Sequence, residues 1–199
     1  MLKLLTASRN QKLISAIIDA DLDKLARLLT KFGTAALEGP LRDKQSAAEI
    51  AICAQQPKSL ELIMNQGCNA NAQASCGRPL LLLALQQSEN SLNLLTQLLR
   101  AGADANTDNL LSACFDHCPE TEQMVHLSRL IEYGSQLTKD PDLMPLALGT
   151  ERLELIHFLI NSGAELPADM ESVHCSEATL SYAKRCVDDR KVREMMQQF

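Results

Sequence analysis

The chain has 199 residues, 46% of them hydrophobic, enough to bury a sizeable core. Its formal charge of −6, from 19 basic and 25 acidic side chains, argues against nucleic acid, which is met with a basic stripe. Aromatics at 3% with no Trp leave few surfaces for stacking bases.

The start, Met1-Leu2-Lys3-Leu4-Leu5-Thr6, lacks the apolar stretch of about 7–15 residues that a secretory signal needs. Downstream, the longest strongly apolar run, at 80–85, is far short of the roughly 20 residues that span a bilayer. Seven cysteines, an odd number, fall mostly on expected helices, where Cys packs as a small apolar residue. The expectation is a chain with reduced thiols, no membrane contact and a cytoplasmic location.

Five segments then end alike, in an apolar helical stripe, a glycine and a polar turn. The glycines stand at 33, 67, 102, 134 and 163, in steps of 34, 35, 32 and 29 residues. Such a period marks a repeat built of two short helices and a turn. The first unit reads as helices over 13–20 and 22–31, with Asp21 as an N-cap. In the third, Leu80, Leu81, Leu83 and Ala84 form one stripe and Leu92, Leu94, Leu95, Leu98 and Leu99 the next. Gly102 stops the second helix, because a residue past a helix end often turns left-handed, which Gly does without penalty. Pro79 suits a first helical turn, where a missing N–H costs nothing. The last segment places Ala178, Leu180, Ala183 and Cys186 on one stripe, and its alternating charges from Lys184 to Glu194 suit a solvated cap.

Gly77-Arg78-Pro79-Leu80-Leu81-Leu82-Leu83-Ala84 resembles the opening of an ankyrin repeat. Leu98-Leu99-Arg100-Ala101-Gly102-Ala103-Asp104-Ala105-Asn106 is a near match to its close. Met144-Pro145-Leu146 and Phe158-Leu159-Ile160-Asn161-Ser162-Gly163-Ala164 repeat the pattern weakly. The resemblance implies an all-α, irregular ankyrin-type solenoid of about six stacked helix-turn-helix repeats with terminal caps. It forms one domain over 1–199, with repeats near 10–36, 44–73, 77–106, 109–138, 143–168 and 175–199. Thr-Pro-Leu-His is never intact, so the bonds by which that tetrapeptide ties neighbouring repeats are missing.

The resemblance further implies recognition of a protein partner by turn fingers and the outward faces of the first helices. The fingers map to 72–78, 105–110, 137–143 and 166–171, and the outward helix positions to Glu49, Gln86 and Asp116. The candidate contacts are Gln73, Ser75, Arg78, Gln86, Asp104, Thr107, Asp108, Asn109, Asp116, Lys139, Asp140 and Asp142. The function implied is a monomeric, non-enzymatic protein-binding module without cofactor. A stand-alone inhibitor, an immunity-type partner of a toxin or enzyme, and a secreted bacterial effector are its alternatives. A self-associating structural module is a further one.

One string competes with that reading. Cys114-Phe115-Asp116-His117-Cys118, with His126 eight residues on, carries the thiolate and imidazole types that zinc prefers, and would make a metal-dependent regulator. Set against it, Leu110, Leu111, Cys114 and Phe115 form the stripe expected of an inner helix, which leaves Cys114 in the core. No Gly-x-Ser-x-Gly, Gly-rich phosphate loop or His-Glu-x-x-His is present, so no catalytic residue and no metal ligand is expected.

Overall fold

In the computed structural model each expected glycine stop closes a helix. The described residues are 2–33, 37, 39–169 and 173–197, with the side chains of 2–7 left aside. The repeat ends at 34–36 and 198–199, and Glu171 of the last expected finger, lie outside them. The described residues are all-helical, with no strand, and fall into two compact units, 1–107 and 108–199.

The first unit contains α1 (Leu2–Ile18), α2 (Leu22–Phe32), α3 (Ala47–Cys53), α4 (Pro57–Met64), α5 (Leu80–Leu85) and α6 (Ser91–Arg100). Each helix packs on its partner within a pair, α1 on α2, α3 on α4 and α5 on α6. Between pairs, α1 meets α3 and α3 meets α5, while α2 meets α4 and α4 meets α6. That makes two layers of helices with Leu13, Ile17, Leu25, Ile50, Ile52, Leu60, Ile63, Leu81, Leu94 and Leu98 sealed between them. No pair of such short helices buries its apolar stripes alone; the neighbouring pair completes each core.

The second unit contains α7 (Ala113–His117), α8 (Glu120–Glu132), a 3-10 turn (Leu137–Lys139), α9 (Leu143–Gly149), α10 (Leu153–Asn161) and α11 (Glu177–Met196). Here α7 packs on α8, α9 on α10 and α10 on α11. Arg190 fastens α11 down, donating from Nη1 to the carbonyls of Ile160 at 2.7 Å and Ala164 at 2.9 Å. The expected solvated charge at this position is therefore a clasp on the end of α10. Its stripe also differs from expectation, since Thr179, Ala183 and Cys186 are buried while Ala178 is exposed.

Two details of the helix ends follow from backbone chemistry. Gly102 sits at φ 87°, and the Gly102 and Ala103 N–H groups bond the Leu99 and Leu98 carbonyls at 3.0 Å each, which satisfies carbonyls that α6 leaves free. Inner helices end with the same pair of bonds but without glycine. After α3, Gln55 at φ 56° donates to Ile52 O, and Gln56 to Ala51 O, both at 2.9 Å. Ala20 repeats this after α1. The N-caps agree with the sequence at Asp21, whose Oδ1 accepts the Lys24 N–H at 3.0 Å. Pro79 instead stands one place before α5, at φ −56° and ψ 143°.

Candidate functional site

The turns between pairs hold most of the candidate contacts. In the first unit, Gln73 and Pro79 face each other across a short hairpin closed by Ala74 N–H to Arg78 O at 2.8 Å. Gly77, at φ 82°, makes the turn. A second hairpin joins Arg42 to Gln45, with Asp43 and Lys44 both left-handed. It presents three exposed charged side chains, Arg42, Asp43 and Lys44, which lie outside the expected fingers. The signal was faint, because neither turn residue is Gly or Asn.

The hairpin at 73–79 is held from below by Glu49. Ser46-Ala47-Ala48-Glu49 has the spacing of a reciprocal helix cap, and Ser46 Oγ does accept the Glu49 N–H at 3.1 Å. The Glu49 carboxylate turns away from that duty. Oε2 accepts the Ser75 N–H at 2.8 Å and Oε1 the Ser75 hydroxyl at 2.5 Å. Glu49 is 4% exposed, so the expected outward position is a buried brace, and its partner Ser75 has its hydroxyl engaged inside the protein. Asn71 does the same one repeat on, taking the Asp104 N–H at 2.7 Å and donating to Gly102 O at 3.1 Å. Ser59 Oγ reaches back to Ile17 O at 3.1 Å. Bonds of this kind link the repeats where Thr-Pro-Leu-His is absent.

Other candidates group as follows. Arg78 Nη1 donates to Gln86 Oε1 at 2.9 Å, which pairs two exposed or half-buried candidates on one face. Gln73, Asp104 and Thr107 line a hollow of about 330 Å³ with Asn71, Pro79 and Leu81. Asp104 is partly engaged in its own turn, where Oδ1 accepts the Asn106 N–H at 2.9 Å. Asp108 is exposed.

In the second unit the structure separates the three residues of the 137–143 finger. Lys139 and Asp142 are exposed. Asp140 is 7% exposed and caps the start of α7, its Oδ2 accepting the Ser112 N–H at 2.8 Å. It belongs to the scaffold, because an orphan N–H at a buried helix start needs an acceptor and this carboxylate supplies one. Asn109, Asp116 and Asp142 come together around an open cavity of about 690 Å³ between α7, α9 and the segment leading to α11. Pro145, Leu146 and His174 complete its wall, and among the described residues no Lys or Arg lines it. Leu146 is 38% exposed. Neither Asp116 nor Asp142 has a side-chain partner among the described residues.

The zinc reading loses its ligand set. His117 is exposed while Cys114 and Cys118 are buried. Among the described residues no three His, Cys, Asp or Glu side chains converge as metal ligands. Cys118 is also off the helix, extended at φ −96° and ψ 140°. The His126 imidazole of α8 helps to hold the Cys118 thiol below its ordinary value.

No family model matches the chain, and no curated protein matches it. Among solved structures the chain is similar to the ankyrin repeat domain of Bcl-3, a unique member of the IkappaB protein family. The likeness has a TM-score of 0.45 at 17% identity and covers 89% of this chain and 96% of that one. Helix pairs and glycine stops occur in both units, and the two hairpin turns lie in the first. No helix among the described residues is long and apolar enough to cross a membrane.

Proposed function

We propose that the chain is a non-enzymatic, monomeric module of a cytosol-like compartment that binds a partner protein through its turns and first helices. We place the main contact in the cavity of the second unit. The observation that supports this is the pairing, in one open hollow, of two exposed and unpartnered carboxylates, Asp116 and Asp142, with the bare side chain of Leu146. A core has no use for that combination, whereas a partner presenting a Lys or Arg beside an apolar residue satisfies both halves at once. The wider field agrees. Residues 108–199 carry 16 acidic against 8 basic side chains, while residues 1–107 carry 9 against 11. An encounter with a cationic segment is thereby steered to the second unit. The hollow lined by Gln73, Asp104 and Thr107 and the Arg78–Gln86 pair form the secondary contacts.

Selection of a displayed random-peptide library on the purified chain tests this. The expected winners carry a basic residue next to an apolar one, weaken as salt rises, and are lost on Asp116→Asn with Asp142→Asn. Winners that are acidic or uncharged, or equal capture by the double variant, would overturn the cavity as the site. The identity of a natural partner matching the winners then separates inhibitor, immunity-type and effector roles.

A further inference from the structure

Away from that cavity, the packing of α11 on α10 brings a thiol and an imidazole together. Cys186 of α11 is 5% exposed, and its Sγ stands 3.6 Å from Nδ1 of His157 on α10. The Tyr182 hydroxyl, one turn before Cys186, lies 3.4 Å from the same nitrogen. His157 is exposed, and its Nε2 has no protein partner among the described residues. Nε2 is therefore free to carry the ring proton in water, which leaves the Nδ1 lone pair to the thiol. His157 and Tyr182 also line an open hollow of about 680 Å³, with Met124, Leu153, Glu154 and Phe158.

We propose that Cys186 and His157 form a binding site for monovalent copper, entered through this hollow. The inference is independent of partner binding. A cysteine that only fills core space packs against apolar groups and gains nothing from an imidazole. The spacing of the two donor atoms suits an ion. Bound at about 2.3 Å from sulfur and about 2.0 Å from nitrogen, an ion holds the two about 3.5–3.7 Å apart at tetrahedral to trigonal angles. The observed 3.6 Å lies in that range, so neither helix has to move.

The choice of copper follows from ligand number, softness and charge. Zinc asks for three or four protein ligands, and among the described residues no three His, Cys, Asp or Glu side chains converge. Monovalent copper accepts a thiolate and an imidazole as its main ligands, and thiolate or thioether sulfur is the donor it selects. Met124 brings a thioether to the same hollow. One thiolate cancels the single charge of the copper ion. Zinc would keep one positive charge in a half-buried place, near the Arg185 guanidinium that sits 6.0 Å from the Tyr182 ring centroid. Glu154 is exposed, so water and salt screen its help.

On binding, an S–Cu bond replaces the S–H bond of Cys186, and the proton leaves to solvent. The Nδ1 lone pair forms the second bond, and the Tyr182 hydroxyl turns to water. Copper arrives and stays monovalent, so no electron is transferred. The two ligands stand 29 residues apart on different helices, and Cys186 lies one turn before the Arg190 clasp. A bound ion therefore ties α11 to α10 and stabilises that pair by mass action.

The test is anaerobic titration of the full chain with cuprous ion against bicinchoninate, a coloured competitor. Cys53→Ser, Cys68→Ser, Cys76→Ser and Cys175→Ser first remove the exposed and half-buried thiols, which would compete. The expected result is one copper per chain, sulfur and nitrogen together in its X-ray absorption shell, and slower amide exchange across α11. Cys186→Ala and His157→Gln should each weaken uptake by at least about a hundredfold, since losing an outer-shell partner alone costs about 10–100-fold. His157 is exposed, so His157→Gln decides by itself if Cys186→Ala unfolds. No uptake, or uptake unchanged in His157→Gln, would overturn the proposal. So would an all-sulfur shell, or zinc displacing the copper at equal concentration.

Discussion

Removing the Glu49 carboxylate is the sharpest perturbation of the repeat architecture, because one side chain of α3 holds the next hairpin by two bonds. In Glu49→Ala both Ser75 donors lose their acceptor, and a carboxylate-sized gap opens at a site 4% exposed. Bonds to a charged acceptor contribute about 1.5–3 kcal/mol each. Ser75 itself is exposed, so water recovers part of that, and a total near 2 kcal/mol is expected. With an m value of about 2 kcal/mol/M, the urea midpoint of the first unit falls by roughly 1 M. A double-mutant cycle with Ser75→Ala should show a coupling of about 1 kcal/mol, since that variant removes the hydroxyl bond but keeps the N–H bond. Amide exchange at Ser75 should accelerate in Glu49→Ala while amides in the core of α6 are unmoved. A midpoint shift below about 0.25 M with no coupling would show that Glu49 is not the brace of the hairpin, and the account of how repeats are tied would fail.

Further outcomes follow from the helix ends, the α11 clasp and the thiol pair. Gln55→Gly relieves a left-handed residue at φ 56° and should stabilise by up to about 1 kcal/mol, whereas Gly102→Ala, at φ 87° with open space around a new Cβ, should destabilise by about 1 kcal/mol. Urea melts measure both, and equal signs would refute the backbone argument. Arg190→Ala strips two carbonyl bonds from the end of α10 and should cost about 2 kcal/mol and speed amide exchange across α11; an unchanged exchange pattern would refute the clasp. Thiolate absorbance at 240 nm should rise with pH through a midpoint near 6 for one cysteine, be absent in Cys118→Ser, and move upward in Cys114→Ala because the hydrogen bond from Cys114 is the largest cause of the lowering. A single transition near 8.5 would show that the hydrogen-bonded thiolate does not form.

Much of the fold was legible because its signals are local. A glycine after an apolar stripe, or an aspartate before one, marks a helix end through the backbone groups of that same turn, and Gly102 and Asp21 behave accordingly. The all-helical class and the period of paired helices follow from the same stripes. Three things lay beyond that reach. Inner helices end at Ala20 and Gln55, which carry no turn signature, so only their bonds to the preceding turn force them left-handed. The finger at 41–45 is built on Asp43 and Lys44, equally unmarked.

The third is the candidate site. Polarity in the sequence suggested that Glu49 and Asp140 face outward, yet a carboxylate near a turn faces solvent or a neighbouring N–H with no difference in its local pattern. What decides is whether a buried donor lies opposite, and Ser75 is 26 residues from Glu49 while Ser112 is 28 from Asp140. The same holds for Cys118, whose thiol is lowered in part by His126, a residue of the next helix. Sequence alone determined where helices stop, because those bonds close within one turn. Tertiary structure decided which polar groups remain for a partner, because satisfying buried donors is a contest settled only when distant turns meet.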